Sequence, residues 1–202
     1  MEDWKGNSKS IYVTMGASNH SLKERQNEDY YATDPKALEI FLDKIKKDGI
    51  ELHKKIWECA CGEGHLSKVL ETRGVNVWST DLINRGYGEG NVNFLTCLPA
   101  GKWNGDILTN PPYKYAKEFV EKALEITEDS CYTIMFLKIQ FLEGQARLKL
   151  FKKYPPKYIY VNSKRQHCAM NGEFEKYTAT AVCYCWYIWQ KGFTGEPTVR
   201  WI

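Results

Sequence analysis

The chain has 202 residues, enough for one α/β domain with a buried core but too few for a second large domain. Hydrophobic residues make up 43% and charged residues 26%, as is ordinary for a soluble globular protein. No apolar run approaches the roughly 18 residues of a membrane span, and residues 1–10 lack the apolar core of a signal peptide, so we expect a cytoplasmic protein. The net charge of +3 is too small to indicate a nucleic-acid partner.

A polar N-terminal arm, residues 1–29, precedes a predicted single domain, residues 30–202. Asp34 and Pro35 predict the start of a first helix, because proline fits the first helical position, and Gly49 predicts its end. Beyond it, the predicted strands are residues 54–60, 75–80, 91–95, 105–109, 131–139, 158–162 and 181–189, and the predicted helices are residues 65–73, 116–126 and 145–151. This alternation indicates a doubly wound, mostly parallel α/β sheet of seven strands. Since no helix separates the last two strands, we expect an antiparallel pair at one edge.

A glycine-rich loop at residues 58–64 joins the first of these strands to the following helix. Gly62 and Gly64 would let the backbone turn sharply and approach a ligand closely. Asp81 ends the next strand, where a carboxylate accepts the hydroxyl hydrogens of a ribose. The loop therefore predicts a nucleoside site, with a tight turn and a helix-capping aspartate as the alternative interpretation.

Two details of this loop favour an adenosine cofactor without a pyrophosphate. Ser67 and Lys68 occupy the region where the dinucleotide fingerprint has its third glycine. Glu58 would repel a phosphate but suits a cationic ligand. S-adenosylmethionine carries an ammonium and a sulfonium, so the charges favour it over a dinucleotide.

The turn Asn110-Pro111-Pro112-Tyr113 directly follows the strand predicted at residues 105–109. Ligands of doubly wound sheets bind beyond the carboxyl ends of the strands where the strand order reverses, so we expect this turn to face the glycine-rich loop across one pocket. The Asn110 amide oxygen and the Pro111 carbonyl would accept hydrogens from an adenine amino group and support the charge that its nitrogen gains during methylation. Neither proline has an N–H, and Pro112 restricts its predecessor, so the carbonyl directions are preset. Tyr113 would stack on an extruded base; a proline-rich loop with a surface tyrosine is the alternative.

Other chemistries find less support in the sequence. Methylation of cytosine C5 needs a thiolate nucleophile that follows a proline in its enzymes, and no proline here precedes a cysteine. The seven cysteines contain no C-x-x-C pair and the four histidines are scattered, which favours buried free thiols over a metal site or disulfides. Residues 138–176 carry nine Lys or Arg against three Glu, a pattern that fits a phosphate-binding face or a solvated surface.

These motifs, in this order, resemble those of the adenine-specific DNA methyltransferases, most closely the short phage and prophage type. The resemblance implies a Rossmann-like class I methyltransferase fold, S-adenosylmethionine as cofactor, DNA as partner and Asn110, Pro111, Pro112 and Tyr113 as the catalytic residues. Residues 29–35 resemble the N-terminal cofactor motif, and residues 141–147 and 186–191 also resemble the phage group. The implied cofactor-binding residues are Tyr31, Thr33, Glu58, Ala60, Cys61, Gly62, Gly64, Asp81, Leu82 and Asn93. The family often has Asp where Asn93 lies, but Asn also accepts a hydrogen bond from the cofactor adenine.

The chain departs from the family in having no separate target-recognition domain. Sequence specificity would then come from the N-terminal arm, from an insertion at residues 164–177 or from a partner. Arg165, His167 and Phe174 are the candidate DNA-contacting residues in that insertion, with surface or packing roles as the alternative.

Three other functions are compatible with parts of this pattern. An Asn-Pro-Pro-Tyr motif is similar to those of enzymes that methylate amino groups in RNA or a glutamine amide in release factors. A glutamine enzyme would need a peptide-docking N-terminal domain, for which only residues 1–29 are present. A DNA-binding protein with a decayed methyltransferase fold is disfavoured, because the acid, the glycines and the catalytic turn occur together.

Overall fold

The computed structural model describes residues 31–166, 168–170 and 182–202, with the backbone alone for Tyr31 and residues 168–170. The helices are α1 (Pro35–Lys47), α2 (His65–Thr72), α3 (Ala116–Ile126) and α4 (Gln145–Lys153). The strands are β1 (Tyr31–Thr33), β2 (Lys55–Glu58), β3 (Asn76–Ser79), β4 (Asp106–Thr109), β5 (Tyr132–Lys138), β6 (Tyr158–Val161), β7 (Cys168–Met170), β8 (Tyr184–Gln190) and β9 (Thr198–Trp201). Short 3₁₀ turns, Tyr113–Tyr115 and Ile139–Leu142, follow β4 and β5. None of the helices in these ranges is long and apolar enough to span a membrane.

Seven strands form the main sheet in the order β3-β2-β4-β5-β8-β6-β9. All neighbours are parallel except β8, which is antiparallel to both β5 and β6. The doubly wound, mostly parallel seven-stranded sheet is therefore confirmed, as is the antiparallel pairing of the last two predicted strands. That pair lies one position in from the edge, because β9 extends the sheet beyond β6.

Both faces of the sheet are buried because apolar residues fill both alternating sets of strand positions. In β8, Trp186 and Ile188 pack with α1 and α2 on one face, while Tyr187 and Trp189 pack with α3 on the other. The ring of Phe41 in α1 stacks on Trp186, with centroids 4.6 Å apart. The result is a sheet between two helical layers, which presents the carboxyl ends of β2, β3 and β4 along one edge.

The predicted start of the first helix is confirmed at atomic detail. Pro35 is the first residue of α1, and the Asp34 side chain accepts the backbone N–H of Lys36 at 2.9 Å. The same aspartate directly follows β1, so the strand and the helix are fixed to each other.

The predicted strand at residues 91–95 is wrong, because this segment is a loop. Asn91 has a φ of 63°, in the left-handed region that interrupts an extended strand. The Asn93 side chain accepts the N–H of Leu95 at 3.0 Å, which turns the chain locally. The conformations of the two asparagines thus prevent the strand that the neighbouring apolar residues indicated.

The seventh strand of the sheet is instead β9, which the sequence analysis did not predict. Its four residues pair in parallel with β6, with Thr198 opposite Tyr158 and Trp201 opposite Val161. Three of the four are exposed, so the strand lacks the buried apolar run that marks the others.

Candidate active site

A cavity of about 620 Å³ opens at the edge of the sheet where β2, β3 and β4 end. It brings together the loop after β2, the segment after β3 and the turn after β4. The sequence-predicted residues on its wall are Thr33, Glu58, Ala60, Cys61, Asp81, Leu82, Asn93, Asn110, Pro111, Pro112 and Tyr113. The glycine-rich loop and the Asn-Pro-Pro-Tyr turn therefore face one pocket, as the order of the predicted strands implied.

The two loop glycines lie behind the wall of this cavity. Gly62 has a φ of +56° and donates its N–H to Asp81 Oδ2 at 2.8 Å. Gly64 has a φ of +78°, and a Cβ there would overlap the ring of Tyr87. Gly64 is thus required by its left-handed backbone and by the ring packed against it, a contact that the motif alone does not indicate.

Asp81 connects the ends of β2 and β3 through one carboxylate oxygen and holds the segment after β3 with the other. Oδ2 accepts the Gly62 N–H at 2.8 Å and Oδ1 accepts the Ile83 N–H at 2.9 Å. A carboxylate oxygen accepts two hydrogen bonds, so each of these atoms retains capacity for a second donor. Among the described residues, the carboxylate is held at the cavity wall by one donor on each oxygen, which leaves each oxygen a second acceptor position.

Glu58 is a buried carboxyl at the end of β2, with only 2% of its surface exposed. Burial raises the pKa of Glu58 to about 8, although a hydrogen bond from the Ser67 hydroxyl opposes this rise. At neutral pH the group is therefore mostly protonated in the unliganded protein. A cation in the cavity would favour its ionised form.

The Asn-Pro-Pro-Tyr turn continues directly from β4. The Asn110 side chain donates from Nδ2 to Thr33 Oγ1 at 3.0 Å, and both proline peptide bonds of the turn are trans. Pro111 is buried, while Asn110 and Pro112 are partly exposed on the cavity side.

Tyr113 stands at the end of this turn and has neighbours that hold its ring. Lys138 Nζ lies 4.7 Å from the ring centroid, within the range of a cation–π interaction. The ring of Tyr184 lies 6.2 Å away at an interplanar angle of 34°. Tyr113 is thus half-buried and oriented by residues of β5 and β8.

The cavity also has an apolar wall that the sequence analysis missed. Phe94, Leu95 and Ile83 contribute to it, and Phe94 packs edge-on against Trp57 with ring centroids 5.1 Å apart. Two of these residues lie in the segment predicted as a strand, whose alternation would have pointed them to opposite faces of the sheet. The turn at Asn93, visible only in the structure, brings them to the pocket.

The remaining predicted contact residues are not among the described residues of the cavity wall. Only the backbone of Tyr31 is described, opposite Met170 in the pairing of β1 with β7. Arg165 is exposed and is not part of the cavity wall. His167 and Phe174 fall outside the described residues, as does most of the proposed insertion.

A second cluster of polar groups lies at the opposite end of β4. Asp106 is buried and accepts hydrogen bonds from the His53 N–H, from His53 Nδ1 and from the Tyr132 N–H. Burial raises the pKa of Asp106, and the three donors stabilise its charge. Cys131 lies beside this pair, and all the described cysteines whose side chains are placed are free thiols. The cluster joins the amino ends of β4 and β5 to the chain before β2.

Comparison with known proteins places the fold. No family model and no curated protein matches the chain. Among solved structures, a protein from Listeria monocytogenes described as a class I S-adenosylmethionine-dependent methyltransferase superposes with a TM-score of 0.56 at 13% identity, covering 96% of this chain and 70% of that one.

Two nucleic-acid enzymes are similar to a comparable degree. The methyltransferase subunit of a type I restriction-modification system from Streptococcus thermophilus has a TM-score of 0.58 at 14% identity, over 82% of this chain and 46% of its own. A 23S rRNA methyltransferase has a TM-score of 0.54 at 16% identity, over 82% of this chain and 72% of its own. With its strand order and its cavity at the carboxyl edge, the chain has the fold of the class I S-adenosylmethionine-dependent methyltransferases.

Proposed function

We propose that the protein transfers a methyl group from S-adenosylmethionine to the exocyclic N6 amino group of adenine in DNA. The observation that carries this proposal is the convergence of Asp81, Glu58 and Asn110 on one cavity. An acid suited to a ribose, an acid suited to a cation and an acceptor suited to an amino group are what this transfer requires.

The polar and apolar side chains of the cavity wall fit S-adenosylmethionine. Asp81 offers one acceptor position on each oxygen, which matches the two hydroxyl hydrogens of a ribose. Glu58 offers a buried carboxyl for the ammonium, and Leu82 and Phe94 offer apolar surface for the adenine. The cavity volume of about 620 Å³ falls within the range of roughly 300–1,000 Å³ that small-molecule sites have.

The turn after β4 is suited to an amino-group acceptor. When bound, the cofactor would supply an electrophilic methyl group to the adenine amino nitrogen and would leave as S-adenosylhomocysteine, and that nitrogen would lose one N–H proton to solvent. The Asn110 amide oxygen and the Pro111 carbonyl accept hydrogen bonds from the two N–H groups and stabilise the positive charge that develops on that nitrogen. Tyr113 presents a ring against which the extruded base stacks, and the cation–π contact with Lys138 helps to hold that ring.

Cationic and aromatic residues beside the cavity support a nucleic-acid substrate. Lys114 directly follows Tyr113 and is exposed, and Lys138 Nζ lies over the Tyr113 ring. Cations in these positions neutralise the phosphates that flank an extruded nucleotide. We favour DNA over RNA as the substrate, because the order of the motifs resembles that of the adenine-specific DNA methyltransferases. Arg165, His167 and Phe174 remain the proposed residues for contacts outside the cavity.

The raised pKa of Glu58 predicts that cofactor binding strengthens as the pH rises from about 6 to about 7.5. The carboxyl is protonated in the free protein below its pKa of about 8, and it must lose that proton to pair with an ammonium. The dissociation constant should fall by up to about tenfold per pH unit, since one proton is released on binding. Titration calorimetry at several pH values measures this slope.

Glu58→Gln provides the matched control, because it keeps the shape of the side chain and cannot ionise. The variant should bind more weakly at pH 7.5 and lose most of the pH dependence. Equal slopes in the wild type and in the variant would remove Glu58 from the ammonium site.

The direct test of the proposed function is a comparison of acceptors. Purified protein is incubated with methyl-labelled S-adenosylmethionine and with duplex DNA, RNA or a protein extract, and the labelled nucleosides or residues are identified by mass spectrometry. We expect label in N6-methyldeoxyadenosine. Label confined to RNA would favour the rRNA methyltransferase-like function, and label confined to glutamine would favour the release-factor function.

A further inference from the structure

A partly buried hydrogen bond links the catalytic turn to β1, the first strand of the described chain. Asn110 Nδ2 donates a hydrogen bond to Thr33 Oγ1 at 3.0 Å, although the two residues are 77 positions apart in the chain. Only 2% of the Thr33 surface is exposed. If the Thr33 hydroxyl is removed, water therefore has little access to take its place as the acceptor for Asn110 Nδ2.

The bond matters because the two ends of an asparagine amide have nearly the same shape but opposite hydrogen-bonding properties. An amide that rotates by half a turn presents N–H hydrogens where its oxygen had been. With Nδ2 held by Thr33, Oδ1 lies on the other side of the amide group. Oδ1 is the atom that must accept a hydrogen from the substrate amino group, a role that rests on the proposed function.

The backbone of Thr33 is itself held from two sides. β1 pairs antiparallel with β7, where Thr33 lies opposite Cys168, and Asp34 begins α1 as its cap. The hydroxyl is thus presented from a paired strand that leads directly into a helix. Such a support keeps an acceptor within the narrow range of positions that a hydrogen bond tolerates.

We propose that Thr33 is a positioning residue for methyl transfer, acting through the orientation of the Asn110 amide. The resemblance described above implies that Thr33 contacts the cofactor. The hydrogen bond in the structure joins it instead to the residue that receives the substrate amino group. The two roles make different predictions for the kinetics of a variant.

Thr33→Val tests this role, because valine keeps the branched shape and removes the hydroxyl. We expect kcat to fall by about 10- to 100-fold, as a mispositioned catalytic group causes, while the dissociation constant for S-adenosylmethionine stays unchanged. Thr33→Ser retains the hydroxyl and should keep most of the wild-type kcat. The acceptor is whichever substrate the wild type methylates, so a wrong substrate class refutes the proposed function without affecting this comparison.

Thr127→Val is the matched control for the loss of a buried hydroxyl. Thr127 is fully buried directly after α3, where its hydroxyl donates to the Ala123 carbonyl at 2.8 Å, and it is not part of the cavity wall. Thermal unfolding of both valine variants measures their stability. Thr127→Val should keep the wild-type kcat. An equal loss of kcat in both variants would overturn the proposal, because it would trace the defect to general destabilisation.

A second readout does not depend on activity. The side-chain NH₂ signals of Asn110 in a nitrogen–proton correlation spectrum are identified by their loss in Asn110→Ala. They should shift in Thr33→Val and stay in place in Thr127→Val. Unshifted signals in Thr33→Val, or weakened cofactor binding with an unchanged kcat, would show that Thr33 does not position the amide.

Discussion

Asn110→Ala is expected to lower the rate of methyl transfer by at least about 10²- to 10³-fold, the effect of removing one preorganised group that stabilises developing charge. The variant should bind S-adenosylmethionine with wild-type affinity, because Asp81 and Glu58, which would hold the cofactor, lie on other segments of the cavity wall. Single-turnover transfer of labelled methyl to DNA measures the rate, and calorimetry measures the affinity.

Asn110→Asp is the informative companion to this variant. It keeps an oxygen acceptor in the same place and loses the NH₂ group that donates to Thr33. We expect it to retain more activity than Asn110→Ala. Its carboxylate can accept one hydrogen bond from the substrate amino group and another from the Thr33 hydroxyl. Undiminished transfer by Asn110→Ala would remove the proposed role of this residue.

Asp81→Ala should weaken cofactor binding by about 10²-fold or more. Hydrogen bonds to a charged group contribute about 1.5–3 kcal/mol each, and two ribose hydroxyls would lose their acceptor. The variant also loses the bonds that Gly62 and Ile83 donate to this carboxylate, so the ends of two strands become less well ordered. Calorimetric titration with S-adenosylmethionine measures the change.

Asp81→Asn separates these two effects. It preserves the shape and one acceptor oxygen but places an NH₂ group against one of its donor partners. Its affinity should lie between those of the wild type and Asp81→Ala. A cofactor affinity that is unchanged in Asp81→Ala would contradict the assignment of the ribose to this residue.

The main sheet was predictable because most of its strands can be identified from their own apolar residues. β5 and β8 are continuous apolar runs, which is typical of strands buried on both faces. An amphipathic helix also separates β2 from β3, and another separates β4 from β5. The reversal of strand order that is typical of doubly wound sheets then places the ends of β2 and β4 beside one crevice. Hence the meeting of residues 58–64 with residues 110–113 could be inferred without coordinates.

The errors arise where a local pattern competes with a backbone conformation or a distant contact. At residues 91–95 the apolar residues indicated a strand, but the left-handed Asn91 and the side-chain turn at Asn93 make a loop. β9 is short and exposed, so its pairing with β6 left little pattern in the sequence. Such elements depend on tertiary neighbours more than on their own composition.

Contacts between residues far apart in the chain were the least accessible. The bond from Asn110 to Thr33 depends on the placement of β1, which pairs with β7 outside the main sheet. The packing of Tyr87 over Gly64 likewise depends on the course of the loop after Asp81. Neither contact has a periodicity or spacing that marks it in the sequence.

A crystal structure of the protein with S-adenosylhomocysteine would test most directly whether one pocket serves both the methyl donor and the amino acceptor. We predict that the ribose hydroxyls bind Asp81 and that the sulfur atom lies on the side of the cavity formed by Asn110 and Pro111. A nucleoside bound away from Asp81, or a sulfur atom separated from Asn110 by the body of the cofactor, would contradict the account.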